Sequence, residues 1–96
     1  MKQYDFKSLS ERLLKDVRYY LPSWLPGGKL NGNEYRCASL RGGVGQSLSV
    51  NISTGKWADF ASGNQKGGDL ISLYAAIRGM KQIEAAKILA QDANIP

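Results

Sequence analysis

The 96-residue sequence contains no histidine and a single cysteine, Cys37. A lone thiol excludes an intrachain disulfide, and without histidine a conventional zinc site is starved of ligands. The same absence removes the side chain that most often serves as general base near neutral pH, and it leaves serine or cysteine nucleophiles without a histidine partner. Carboxylates do not fill the gap, because Asp5, Glu11, Asp16, Glu34, Asp59, Asp69, Glu84 and Asp92 are scattered with no paired spacing. The expectation is a chain with no catalytic residue of its own and no cofactor. Long apolar runs are missing too: none approaches the roughly 20 residues that span a bilayer, and the stretch from Met1 to Phe6 has no apolar signal region. A cytoplasmic address and no membrane partner are expected.

What the sequence does have is positive charge. Thirteen Lys and Arg stand against eight Asp and Glu, a net +5, and such a balance favours polyanions. With 43% hydrophobic and 22% charged residues the chain has the composition of a folded globular protein, and its length suits one domain.

Residues 1–28 read as a helix and its exit. Leu9, Leu13, Val17 and Leu21 recur at helical spacing, Ser8 and Glu11 fit a capping box, and Pro22, Pro26, Gly27 and Gly28 supply a stop. From 29 to 60 the pattern turns to short extended segments. Asn31-Gly32-Asn33 marks a turn before a strand over 34–38, while Leu48, Val50 and Ile52 alternate with Ser49 and Asn51 as in a half-buried strand. Ser53-Thr54-Gly55 then turns into a further strand over 56–60, and 63–68 reads as a loop. Asp69 sits where an N-cap belongs, ahead of a helix with the apolar face Leu70, Leu73, Tyr74 and Ile77 and a stop at Gly79. A last helix over 81–91 is expected to bury Ile83, Ala85 or Ala86, Ile88 and Leu89. The fold class is therefore α+β, a small antiparallel hairpin sheet packed with an N-terminal helix and two C-terminal helices. One structural domain is expected, in which segment 1–28 packs on a unit of 29–96 comprising the sheet (34–66) and two helices (69–91).

Two groups of residues are candidates for binding. Gly63 to Asp69 is glycine-rich but lacks the Lys-Ser or Lys-Thr of a nucleotide-binding loop. The amides of Gly67, Gly68 and Asp69 at the helix start could hold one phosphate of a polynucleotide, or they could simply form a tight loop and cap. Arg36, Arg41, Lys56, Trp57 and Lys66 fall in or beside the hairpin sheet, where cations hold a strand's backbone and an aromatic ring stacks a base. The same alternation also allows Trp57 to be core.

The order Cys37-Ala38-Ser39-Leu40, Ser47 to Ser53, Trp57 to Gly63 and Gly67-Gly68-Asp69, followed by two helices, resembles the N-terminal zinc-ribbon domain of bacterial and phage DNA primases over residues 34–91. That family places a Cys-x-x-His pair before the hairpin and a Cys-x-x-Cys pair after the aromatic strand, and opens its helix with Gly-Gly-Asp. Of the four metal positions this chain keeps Cys37, with Leu40, Asp59 and Ser62 at the others. One thiol and one carboxylate do not make a tetrahedral structural zinc site, so the ribbon is expected to be metal-free, with the leading helix as its replacement core. The resemblance implies binding of single-stranded DNA, with RNA as the alternative, beside a primase, helicase or polymerase module in cis or in trans. The rival expectation is a protein-interaction scaffold of a replication complex, on a phage, plasmid or other mobile element, that no longer binds DNA.

Overall fold

Four helices and a five-stranded antiparallel sheet make up the α+β fold of the computed structural model, which describes residues 5–61 and 65–92. The first helix, α1 (Phe6–Lys15), starts before the Ser8–Glu11 pair. Asp5 is its cap, accepting the backbone N–H groups of Lys7 and Ser8, and the Ser8 hydroxyl donates to the same carboxylate. These hydrogen bonds, the one from the Ser8 hydroxyl foremost, hold the Asp5 carboxyl below its ordinary range. The helix breaks at Asp16 and resumes as α2 (Val17–Trp24), with Pro22 inside it rather than at its end. Pro22 forgoes one backbone hydrogen bond, but the burial of Leu21 and Leu25 on either side keeps the turn helical.

The strands follow one another across the sheet in chain order: β1 (Lys29–Asn31), β2 (Glu34–Cys37), β3 (Leu48–Asn51), β4 (Trp57–Asp59) and β5 (Gln65–Gly67). The last corrects the expectation of a plain loop over 63–68. Gln65-Lys66-Gly67 has no strand-like side-chain pattern, and its place in the sheet comes from backbone pairing with β4. The pleat sends Tyr35, Cys37, Leu48, Val50, Trp57 and Asp59 to the helix side, where all are buried.

Helix α3 (Leu70–Arg78) is capped by Asp69, whose carboxylate accepts the Ser72 N–H at 2.8 Å, and it ends at Gly79 in the left-handed conformation, φ 66°. Helix α4 (Gln82–Asp92) packs through Ala85, Ala86, Leu89 and Ala90. Ile83, expected inside, is exposed because it falls at the edge of that alanine-rich stripe. Among the described residues no helix is long and apolar enough to cross a membrane.

One continuous core joins all of this. Leu9, Leu13, Val17, Leu21 and Leu25 from the leading segment belong to the same cluster as Leu48, Val50, Trp57, Leu70, Leu73 and Leu89. Burying side chains of this size is worth about 1.5–3 kcal/mol each, so together they are comparable with the roughly 5–15 kcal/mol that separates a folded domain from its unfolded chain. Deleting residues 1–28 is expected to abolish cooperative thermal unfolding. A truncated chain that still melts cooperatively near the parent temperature contradicts this.

Candidate nucleic-acid interface

Opposite the helices the sheet presents an open face whose composition follows from strand register. Lys29 pairs with Arg36, Arg36 with Ser49, Ser49 with Ala58 and Ala58 with Lys66, so five residues of five strands form one row. Three of the five are cations, one at each edge and one near the middle. A neighbouring row runs Asn31, Glu34 and Asn51. Lys56 adds a further cation to a cleft that also holds Arg36, Ser49 and Ala58.

Trp57 does not belong to this face. It pairs with Val50, is 5% exposed, and its indole N–H donates to the Ser72 hydroxyl of α3 at 3.0 Å. The expected base-stacking role is corrected: the ring is core, and a base cannot reach it without opening the sheet from α3. The aromatic residue on the open face is Phe60. Its N–H donates to the Ser47 carbonyl at 3.0 Å, extending the β3–β4 pairing, and two residues past Ala58 the ring falls on the open side, 70% exposed. It lines the same cleft as Arg36 and Lys56. Phe60 is within reach of the sequence, since Trp57 and Phe60 have opposite parity in a strand and only one of them can face the core. The Leu48, Val50, Ile52 alternation fixes the core side, but the pairing register that assigns Trp57 to it does not show in the sequence.

The remaining expected contacts lie elsewhere. Arg41 is exposed in the tight Ser39–Gly42 turn and shares a cleft with Arg78 and Gly79 at the end of α3, apart from the row of Arg36 and Lys66. Gly67 is demanded by packing, because a Cβ there would meet the Ser72 hydroxyl at 2.3 Å and the Trp57 indole nitrogen at 2.5 Å. Gly68 precedes the cap, and the Asp69 carboxylate accepts the Ser72 N–H at the helix start, where a phosphate would have to compete with it. Of the two readings of Gly67-Gly68-Asp69, the geometry supports the structural one, with Gly67 ending β5, Gly68 linking and Asp69 capping α3.

Cys37, Leu40 and Asp59 do converge; Ser62 lies outside the described residues. Cys37 and Asp59 flank Leu48 on the inner side of the sheet. Asp59, 0% exposed, accepts the Leu40 N–H at 3.2 Å with one carboxylate oxygen and the Ala61 N–H at 2.7 Å with the other. One side chain thus ties the loop after β2 to the segment after β4. Burial pushes the Cys37 thiol above its ordinary pKa, and the charge of Asp59 adds to the push. These residues do not fit a zinc ion. Leu40 offers no donor atom, both Asp59 oxygens are taken by backbone N–H groups, and among the described residues no three His, Cys, Asp or Glu side chains are grouped to hold a metal.

No protein-family model, curated protein or solved structure matches the chain.

Two outcomes follow for the inner side. Asp59→Asn removes one acceptor and leaves a buried N–H unpaired, at a cost of about 1–3 kcal/mol, and Asp59→Ala is expected to cost more; denaturant titration measures both. On the alkaline side, burial raises the pKa of Cys37, Tyr35 and Tyr20 in the folded chain. Their neutral forms are favoured by folding, so this contribution is complete below the unfolded thiol pKa of about 8.5 and is lost as pH rises through the higher folded values. Denaturation midpoints should fall steadily above that pH, and Cys37→Ala should flatten the early part of the fall. A midpoint that is constant through pH 10 contradicts the assignment.

Proposed function

We propose that the chain is a non-catalytic module that binds single-stranded DNA across the open face of its sheet, positioning template for a primase, helicase or polymerase module in the cytoplasm. The observation that carries this reading is the row Lys29, Arg36, Ser49, Ala58, Lys66 with the exposed Phe60 ring beside it. Cations spaced across several strands neutralise successive phosphates, and an exposed ring among them offers a stacking surface that accepts any base. A sheet face is suited to a strand whose bases are splayed, whereas the major groove of a duplex takes a helix or a two-stranded ribbon. The likeness to primase ribbons points the same way, with Phe60 in the part first expected of Trp57.

A second reading draws on the helical side. Tyr19, 76% exposed, meets Tyr20 edge-on; Tyr20 stacks on Trp24, which meets Tyr74, and Arg78 lies over the Tyr74 ring at 5.3 Å. Aromatic residues and arginine are enriched where proteins meet, which favours this side for contact with the partner module.

Anisotropy of a labelled oligonucleotide tests the first reading. With Lys29, Arg36, Lys56 and Lys66 each meeting a phosphate, the log–log dependence of affinity on salt should have a slope of about −2 to −3. Phe60→Ala should cost about 1–3 kcal/mol of binding, the pair Arg36→Glu and Lys66→Glu should abolish it, and Arg41→Glu should change it little. Absence of binding at low salt, or a Phe60→Ala variant that binds like the parent, overturns the proposal. Under the second reading the Arg36 and Lys66 reversals leave partner association intact.

A further inference from the structure

Glu34 is out of place on a face built for phosphate. Among the described residues it is the one carboxylate on a side otherwise lined by Lys29, Arg36, Lys56 and Lys66. It stands where two clefts meet. One runs over Ser49 and Ala58 to Phe60, and the other, of ≈ 510 Å³, lies between the β1–β2 hairpin and the loop carrying Val44 and Gln46. The second falls in the size range of small-molecule sites, and its walls mix the apolar Leu30 and Val44 with the polar Asn31 and Gln46. The Ser49 hydroxyl donates to one oxygen of Glu34, which fixes the carboxylate on the face.

An ionised carboxylate repels phosphate and only accepts hydrogen bonds. Its natural ligand here is the edge of a base that offers donors. Guanine offers two side by side on its Watson–Crick edge, the ring N1–H and the exocyclic N2–H, which match the two oxygens of a carboxylate. Adenine and cytosine each offer one amino group, and thymine sets its single N3–H between two carbonyl oxygens that a carboxylate repels. Lys29 and Arg36 at the rim of the same cleft hold the flanking phosphates. Pairing two strands about 4.8 Å apart with a rise of about 3.3 Å per residue puts Glu34 roughly 16 Å from Phe60, so the base at the carboxylate and the base on the ring are different nucleotides of one strand.

We propose that Glu34 gives the face a base preference, drawing one unstacked guanine of a single DNA strand into the cleft beside the 44–46 loop. The inference rests on the single-strand reading above and adds selectivity to it. The test compares oligothymidylates that carry one central guanine, hypoxanthine, cytosine or thymine, at a single salt concentration, by anisotropy. The guanine strand should bind on the order of tenfold tighter than the thymine strand, with hypoxanthine, which lacks the amino group, between them. Glu34→Gln, an isosteric change at a half-buried position, should remove the difference. Ser49→Ala, which frees the carboxylate without altering its charge, should shrink it. Equal affinity of the parent chain for all four strands, or a guanine preference that persists in Glu34→Gln, overturns the inference while leaving single-strand binding in place. Failure of the parent to bind any of the four overturns the binding reading beneath it as well.

Discussion

The burial of Trp57 fixes the sidedness of the sheet. The ring enters the core against Gly67 and the Ser72 hydroxyl, and a strand has only two sides. With Trp57 inward, Asp59 must also point inward, and Ala58 and Phe60 must point out. Antiparallel pairing then carries the assignment across to β2 and β3 on one flank and β5 on the other. A slip of one residue would turn all of these side chains over, placing Phe60 in the core and a tryptophan and a carboxylate in solvent. The open face and the interior are in this sense one decision made at one residue.

The inner consequence is Asp59. A carboxylate with no exposure is costly unless its oxygens are paired, and here both are, to N–H groups of two separate loops. Hydrogen bonds to a charged acceptor are the stronger kind, and these two join chain segments that the sheet itself leaves apart. Around them the core is extended by the leading segment, whose five buried aliphatic residues stand in the same cluster as those of the sheet. Tyr35 strengthens that junction by donating its hydroxyl to the Leu25 carbonyl at 2.7 Å, where the helical segment turns toward β1.

How far the sequence reveals this depends on the range of the interactions involved. Local signals read correctly: the Asp69 cap, the Gly79 stop, the Asn31-Gly32 turn and the Leu48, Val50, Ile52 alternation each lie within a few residues of what they specify. The first cap is misread within a single turn, and the other errors occur where distant residues decide. Asp5 wins the first cap from Ser8 because its carboxylate reaches two amides at once. β5 carries no pattern of its own and exists because β4 offers it an edge. Trp57 and Phe60 both satisfy an aromatic-strand motif, and α3, through Ser72, chooses between them. Lys29 and Glu34 gain meaning only when the register sets them beside Arg36 and Asn51. The cations that share a face emerge from strand pairing, and Arg41, in the turn after β2, falls outside the group.

Amide chemical shifts of the labelled protein titrated with an oligonucleotide give the sharpest test of the proposed single-strand binding on the open face. The signals of Lys29, Arg36, Ser49, Ala58, Phe60 and Lys66 are expected to move together with one saturating curve, while those of Tyr19, Tyr20 and Trp24 on the helical side stay in place. Movement confined to the helical side, or no movement at low salt, would contradict it.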